Sequence, residues 1–187
     1  CLLTTAHCYS LFPTRLSPWQ HAVMPTKRRS TEAGHRRKFL VVVDDTPECT
    51  RALHFAGRRA LHTGGALVLL YVIVPSEFTQ WSGVENIIRA EAMEEAEESL
   101  GKAADLVRAA TGIEPQLVIR EGSRAEEIVR LIEEDADIAV LVLAAGTDKE
   151  GPGPLVTALA GKASATFPVP ITIVPGHLDE SAIADIA

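Results

Sequence analysis

Cysteine is scarce: the chain has three in 187 residues, two of them (Cys1 and Cys8) near its start. That number and spacing build neither a disulfide framework nor a zinc site, and a reducing, cytoplasmic setting is expected. Long apolar runs are missing too. None approaches the roughly 18 residues of a membrane span, so no membrane partner is expected. The six histidines (7, 21, 35, 54, 62 and 177) show no metal-ligand spacing, and no metal site is expected. His54 and His62, eight apart, read as surface positions of one helix. No nucleophile elbow occurs, and Gly161-Lys162 lacks the upstream glycine and the following Ser/Thr of a P-loop. No catalytic triad assembles, and no internal repeat is visible.

What is present suits one α/β domain. Hydrophobic residues make up 47% of the chain, ample for a core. Charge is uneven: residues 1–38 carry seven Lys/Arg against one acid, whereas 39–187 carry eleven against twenty-four, a net of −13. An acidic body argues against nucleic acid as a partner of the domain. Residues 1–23 lack periodicity and precede Met24, which is expected to be the native start, with 1–23 non-native. Lys27-Arg-Arg and Arg36-Arg-Lys then read as a solvated basic arm, making 1–37 a disordered extension.

From Lys38 strands and helices alternate. Phe39-Leu-Val-Val-Val-Asp reads as a strand. Thr46 as N-cap and Pro47 as first helical residue open a helix to about His62. Gly64-Gly65 ends it, and Ala66-Leu-Val-Leu-Leu-Tyr-Val-Ile is the second strand. A loop with Pro75, Trp81 and Gly83 leads to a long helix over 84–111, whose Glu94-Glu-Ala-Glu-Glu segment is a solvated face. Pro115-Gln-Leu-Val-Ile-Arg is a shorter strand, and a helix over 123–134 buries Ile128, Leu131 and Ile132, with Ser123 as its cap. Ile138-Ala-Val-Leu-Val-Leu-Ala is continuously apolar, as a strand covered on both faces is. A loop, a short helix and a strand at 169–174 complete the order βαβαβαβαβ, and 177–187 read as a polar, acidic tail that forms a frayed helix. The fold class is therefore α/β, an open five-stranded parallel sheet with helices on both faces.

Function is expected where the fourth strand ends. Gly146-Thr-Asp-Lys-Glu-Gly-Pro-Gly-Pro lies between that strand and a helix, with Pro154 suited to the first helical position. Such a glycine-rich loop lets backbone N–H groups approach an anion, and ligands of open α/β sheets sit at these strand ends. Asp44 and Asp45 end the first strand. Either Asp45 or Thr46 caps the first helix, or Asp44 hydrogen-bonds a ligand's base or sugar. A phosphoacceptor receiver would also need an aspartate ending the third strand and a lysine after the fifth; Arg120-Glu121 and Pro175-Gly176 stand there instead. Cys49, in the first helical turn, is a buried structural thiol or a redox-active one.

Taken together, Phe39-Leu-Val-Val-Val-Asp, the second strand ending in Tyr71-Val-Ile, Gly122, Asp137-Ile-Ala-Val-Leu-Val-Leu-Ala-Ala-Gly and Pro168-Val-Pro-Ile-Thr-Ile-Val resemble a universal stress protein (UspA-type) domain over about 38–176. The resemblance implies a Rossmann-like fold of the adenine nucleotide alpha hydrolase type and a dimeric stress regulator, with ATP (and Mg²⁺ beside it) as the cofactor of many members. It also implies that Asp44, with Asp45 and Thr46 in its turn, and the Val72 backbone meet adenine. A Gly-x2-Gly-x9-Gly-Ser/Thr loop would hold ribose and phosphates, here through Gly146, Thr147, Gly151, Gly153, Gly161 and Lys162. Gly151 and Gly161 keep the ten-residue step, but residue 148 is Asp and Lys162 replaces the hydroxyl. ATP, another ligand or none all remain open. The expected function is a nucleotide-sensing regulator of the stress response, a homodimer paired through the last strand. The alternative is an Mg²⁺-dependent nucleotide hydrolase or phosphoryl-transfer enzyme with Asp44 or Asp45 on the metal.

Overall fold

The computed structural model describes residues 27–75, 85–147, 151–161 and 167–187. The expected start at Met24, Trp81, Gly83 and, in the functional loop, Asp148, Lys149 and Lys162 lie outside the described residues. The order is β1 (Lys38–Val42), α1 (Cys49–Thr63), β2 (Ala66–Ile73), α2 (Glu85–Thr111), β3 (Gln116–Glu121), α3 (Arg124–Glu134), β4 (Ile138–Ala145), α4 (Pro154–Ala160), β5 (Ile171–Pro175) and α5 (Glu180–Ile186). All strand pairs are parallel, in the spatial order β3-β2-β1-β4-β5.

Alternation along each strand divides the core. Phe39, Val41, Leu67 and Leu69 pack with α1 and α2 on one face, while Leu40, Val42, Val68 and Leu70 pack with α3 and α4 on the other. Burial on both faces is the reason that β1, β2 and β4 read as unbroken apolar runs. Ala52, Ala56 and Ala60 let α1 lie close to the sheet, and all are within the core. At Gly57 a side chain would press on Thr111 and Val107 of α2, so the small residue sets that helix pair's spacing. Gly64 takes a left-handed conformation (φ 63°) to end α1.

Several features differ from expectation. First, α1 begins at Cys49, not at Pro47, because Thr46 is bonded to Asp44 and does not cap. Second, residues 27–37 are bound to the domain at the amino ends of the strands, where a solvated, disordered arm was expected. Arg28 Nη1 donates to the carbonyls of Ile132 (2.6 Å) and Asp135 (3.2 Å) at the end of α3. His35 Nδ1 lies 2.7 Å from Asp137 Oδ1, and Arg36 Nη2 donates to Gly65 O at 2.8 Å. Arginine here satisfies helix-end carbonyls that have no intrahelical donor. Third, the helix expected in the tail is not frayed but capped and packed on the domain. Asp179 caps α5 by accepting from Ala182 N–H (2.8 Å), and Ile183 is fully buried with α1. That packing also covers His54, which is buried and lies 3.4 Å from Glu180, contrary to a surface position.

Val169 precedes β5, which starts at Ile171, two residues later than expected. β5 is an edge strand. Among the described residues, no helix is long and apolar enough to cross a membrane.

Candidate functional site at the β1–β4 switch point

Because β1 lies between β2 and β4, the chain leaves β1 toward β2 on one side of the sheet and leaves β4 toward β5 on the other. The divergence opens a crevice above the carboxyl ends of these two strands, the usual ligand position in open α/β sheets. A cleft occupies it, lined by Asp44, Thr46 and Glu48 from the β1–α1 turn, Arg124 from α3, and Gly153 and Leu155 beyond β4.

Asp44 is held in place by its own turn. Its Oδ1 accepts from the Thr46 N–H (3.2 Å) and the Thr46 hydroxyl (2.6 Å), closing an Asx-type turn. Neither Asp45 nor Thr46 caps α1; Glu48 holds the N-cap position and makes no side-chain capping bond. Asp45 turns away. Its Oδ1 accepts from Ser99 Oγ (3.3 Å), beside a separate hollow between α1 and α2 that Lys102 also lines. The adjacent acids therefore serve different surroundings.

Across the crevice, the loop after β4 doubles back, with Gly146 N–H donating to Pro152 O at 3.3 Å. Gly151 (φ 98°) and Gly153 (φ 93°) occupy conformations that L-residues rarely adopt. Gly153 precedes Pro154, the first residue of α4, and its carbonyl accepts from both Thr157 N–H (3.0 Å) and Thr157 Oγ1 (2.8 Å). The N–H groups of Leu155 and Val156 then have no intrahelical acceptor, and both residues line the cleft.

The Val72 side chain is buried among the residues packed on α3 and α4, so any contact it makes with a ligand is through its backbone, as expected. Gly161 closes the far end of α4, where a side chain would sit 2.7 Å from Thr157 O, so crowding by the helix explains that glycine. Thr147 is exposed at the loop's start and touches the space beside Gly176.

Sequence reasoning missed Glu48 and Arg124. A side chain at Gly146 would lie 3.0 Å from Glu48 Oε1, so this carboxylate rests on the loop backbone. Arg124 is the first residue of α3, which brings it to the same end of the sheet. Neither had a motif to mark it: an acid beside a helix start and an arginine on a polar helix are ordinary surface choices.

The remaining electrostatics concern Cys49 and Tyr71. Burial, and then the carboxylates of Asp44, Asp45 and Glu48, push the Cys49 thiol up to about 12. That is the reverse of the activation a helix N-terminus could give, and it removes the redox reading. Partial burial followed by the charges of Asp45 and Glu95 raises the Tyr71 phenol. Among the described residues, no three His, Cys, Asp or Glu side chains gather as a metal-ligand set.

Comparison with known proteins agrees with this architecture. Among solved structures, UspA of Lactobacillus plantarum is similar at a TM-score of 0.62 with 16% identity, over 74% of this chain and 97% of that one. A universal stress protein from Archaeoglobus fulgidus in complex with dAMP gives 0.54 with 19% identity, over 74% and 97%. An Arabidopsis thaliana protein of the same family with AMP bound gives 0.50 with 16% identity, over 74% and 91%. At these identities the likeness is one of fold. Among curated protein sequences, none matches this chain. The profile of the universal stress protein family matches residues 35–175, spanning all five strands and the whole crevice, and the chain belongs to that family.

Proposed function

We propose that the protein is a cytoplasmic regulator of the stress response that binds an adenine nucleotide in the β1–β4 cleft and acts by binding, not by turnover. The observation that carries this reading is a juxtaposition. Asp44, locked by Thr46, stands across one cleft from Gly153 and the unpaired N–H groups at the start of α4. Asp44 offers an acceptor to the base or sugar. The backbone from Gly151 to the start of α4 offers donors to phosphate, with Gly146 and Thr147 at the loop's other end. Support also comes from the similar folds that hold AMP and dAMP. For ATP, Mg²⁺ would accompany the nucleotide and offset the carboxylates of the cleft.

The functional unit is a homodimer. β5 is a sheet edge, so its outer backbone groups face away from β4 and can pair with a second copy across a two-fold axis.

Mass spectrometry of the small molecules released from the purified chain, followed by titration calorimetry with AMP, ADP and ATP plus Mg²⁺, tests the reading. An adenine nucleotide should be recovered or should bind. Gly151→Val should abolish binding by setting a branched side chain at a φ of 98° beside the phosphates. No heat with any adenine nucleotide at millimolar concentration overturns the proposal and leaves a dimeric interaction module.

A further inference from the structure

The hollow between α1 and α2 is a second concavity, and its chemistry differs from that of the cleft. Its walls come from two stretches of chain, 43–53 and 99–106, around a space of about 220 Å³. That is below the roughly 300–1,000 Å³ of sites for drug-sized ligands, so its occupant must be small. Val43, Leu53 and Ala103 are buried and make the bottom apolar, with Leu106 beside them. Asp45 and Lys102 are exposed and stand at the mouth. These two charges are neighbours of opposite sign. Asp45 Oδ1 accepts from Ser99 Oγ at 3.3 Å, which sets the carboxylate against α2. Residues three apart on a helix adjoin, so Lys102 lies next to Ser99 on that surface. Lys102 Nζ is 2.7 Å from Glu98 Oε1, an exposed pair of the kind that contributes little, so the ammonium is free to turn to a ligand.

We propose that this hollow binds a free aliphatic α-amino acid. Its ammonium would meet Asp45, its carboxylate would meet Lys102, and its side chain would fill the apolar bottom. An α-amino acid carries both charges and its side chain on one carbon, which matches adjacent opposite charges over an apolar floor. The carboxylate of Asp44 also lines the hollow and favours the ammonium on that side. Charge-assisted hydrogen bonds at both groups supply orientation as well as affinity. A ligand lacking either charge leaves one of the two side chains without its counterpart, and specificity follows from that difference. Neither Asp45 nor Lys102 lines the β1–β4 cleft, so this site does not depend on the nucleotide reading.

The test is titration calorimetry on the full chain with L-leucine at low ionic strength and without nucleotide. Leucine should bind in the submillimolar range. Leucinamide keeps the ammonium and the side chain but has no carboxylate; isocaproate keeps the carboxylate and has no ammonium. Each should bind at least about tenfold more weakly than leucine. Lys102→Glu should weaken leucine by at least about tenfold and Asp45→Asn by about fivefold. Both positions are exposed, so the melting temperature should stay unchanged in both variants. Absence of leucine binding at millimolar concentration overturns the proposal. Leucinamide binding as tightly as leucine overturns it too, because the carboxylate would then go unrecognised. So does unchanged leucine affinity in Lys102→Glu, which would put the ligand elsewhere. The comparison of the three ligands needs no variant, and a failure here leaves nucleotide binding in the cleft standing.

Discussion

Thr46 gives both its N–H (3.2 Å) and its hydroxyl (2.6 Å) to one oxygen of Asp44, so the β1–α1 turn aims a carboxylate over the sheet edge. Thr46→Val keeps the shape and removes the hydroxyl. Urea unfolding should then show a loss of about 0.5–1.5 kcal/mol. Nucleotide affinity should fall with it, and Thr46→Ser should restore both. Unchanged affinity in the valine variant would mean that the aim of Asp44 is irrelevant to binding.

Deleting residues 1–23 should leave the melting temperature unchanged. Deleting 1–37 removes Arg28, His35 and Arg36 together with their bonds to Ile132 O, Asp137 and Gly65 O. The expected cost is about 2–4 kcal/mol, mostly from charged hydrogen bonds to helix-end carbonyls. Calorimetric melting of the two truncations separates them, and equal melting points would show that residues 24–37 contribute nothing.

Cys49 sets a pH dependence. The thiol's ordinary value is 9.0 and in the fold it is pushed up to about 12, so between these limits the unfolded chain has released a proton that the folded chain retains. Stability from this group is complete below pH 9 and is lost as pH rises toward 12, at up to about 1.4 kcal/mol per pH unit. Urea unfolding at pH 8, 9 and 10 should show the decline, and Cys49→Ala should flatten it. Peptide mapping after iodoacetamide at pH 8 should find Cys49 unmodified in the folded chain.

Ile173 gives the dimer a cleaner probe than Ile171. Ile171 packs against the core, whereas Ile173 is 39% exposed on the edge strand β5. Ile173→Glu should convert a homodimer into a monomer by light scattering with unchanged near-ultraviolet circular dichroism. A monomer at micromolar concentration before any substitution would remove the idea.

The central strands were legible because burial on both faces leaves an unbroken apolar run; β2 matches its expected bounds. The start of α1 was less so, because Thr46-Pro47 has cap chemistry that Asp44 diverts. The tail's helix was expected but its docking on the domain was not, because a single buried Ile183 among polar residues carries no period. Of the site, Asp44, Thr46 and Gly153 could be placed from the turn and loop chemistry. Val72 came from resemblance alone, as a backbone contact that no side-chain pattern marks. Glu48 and Arg124 reach the cleft only through the crossover that sets β4 beside β1, a pairing no local pattern encodes.

That pairing has a consequence for how the chain is made. Lys38 pairs with Ile138, so the central strand waits about a hundred residues for one of its two neighbours. As the polypeptide leaves the ribosome, β1, β2 and β3 can associate while the other edge of β1 stays bare. Leu40 and Val42 then lack much of their cover, since α4 and β4 come later. A pause in translation after β3 has emerged and before β4 has would thus hold a nascent sheet whose central strand is open to a chaperone or to another nascent copy.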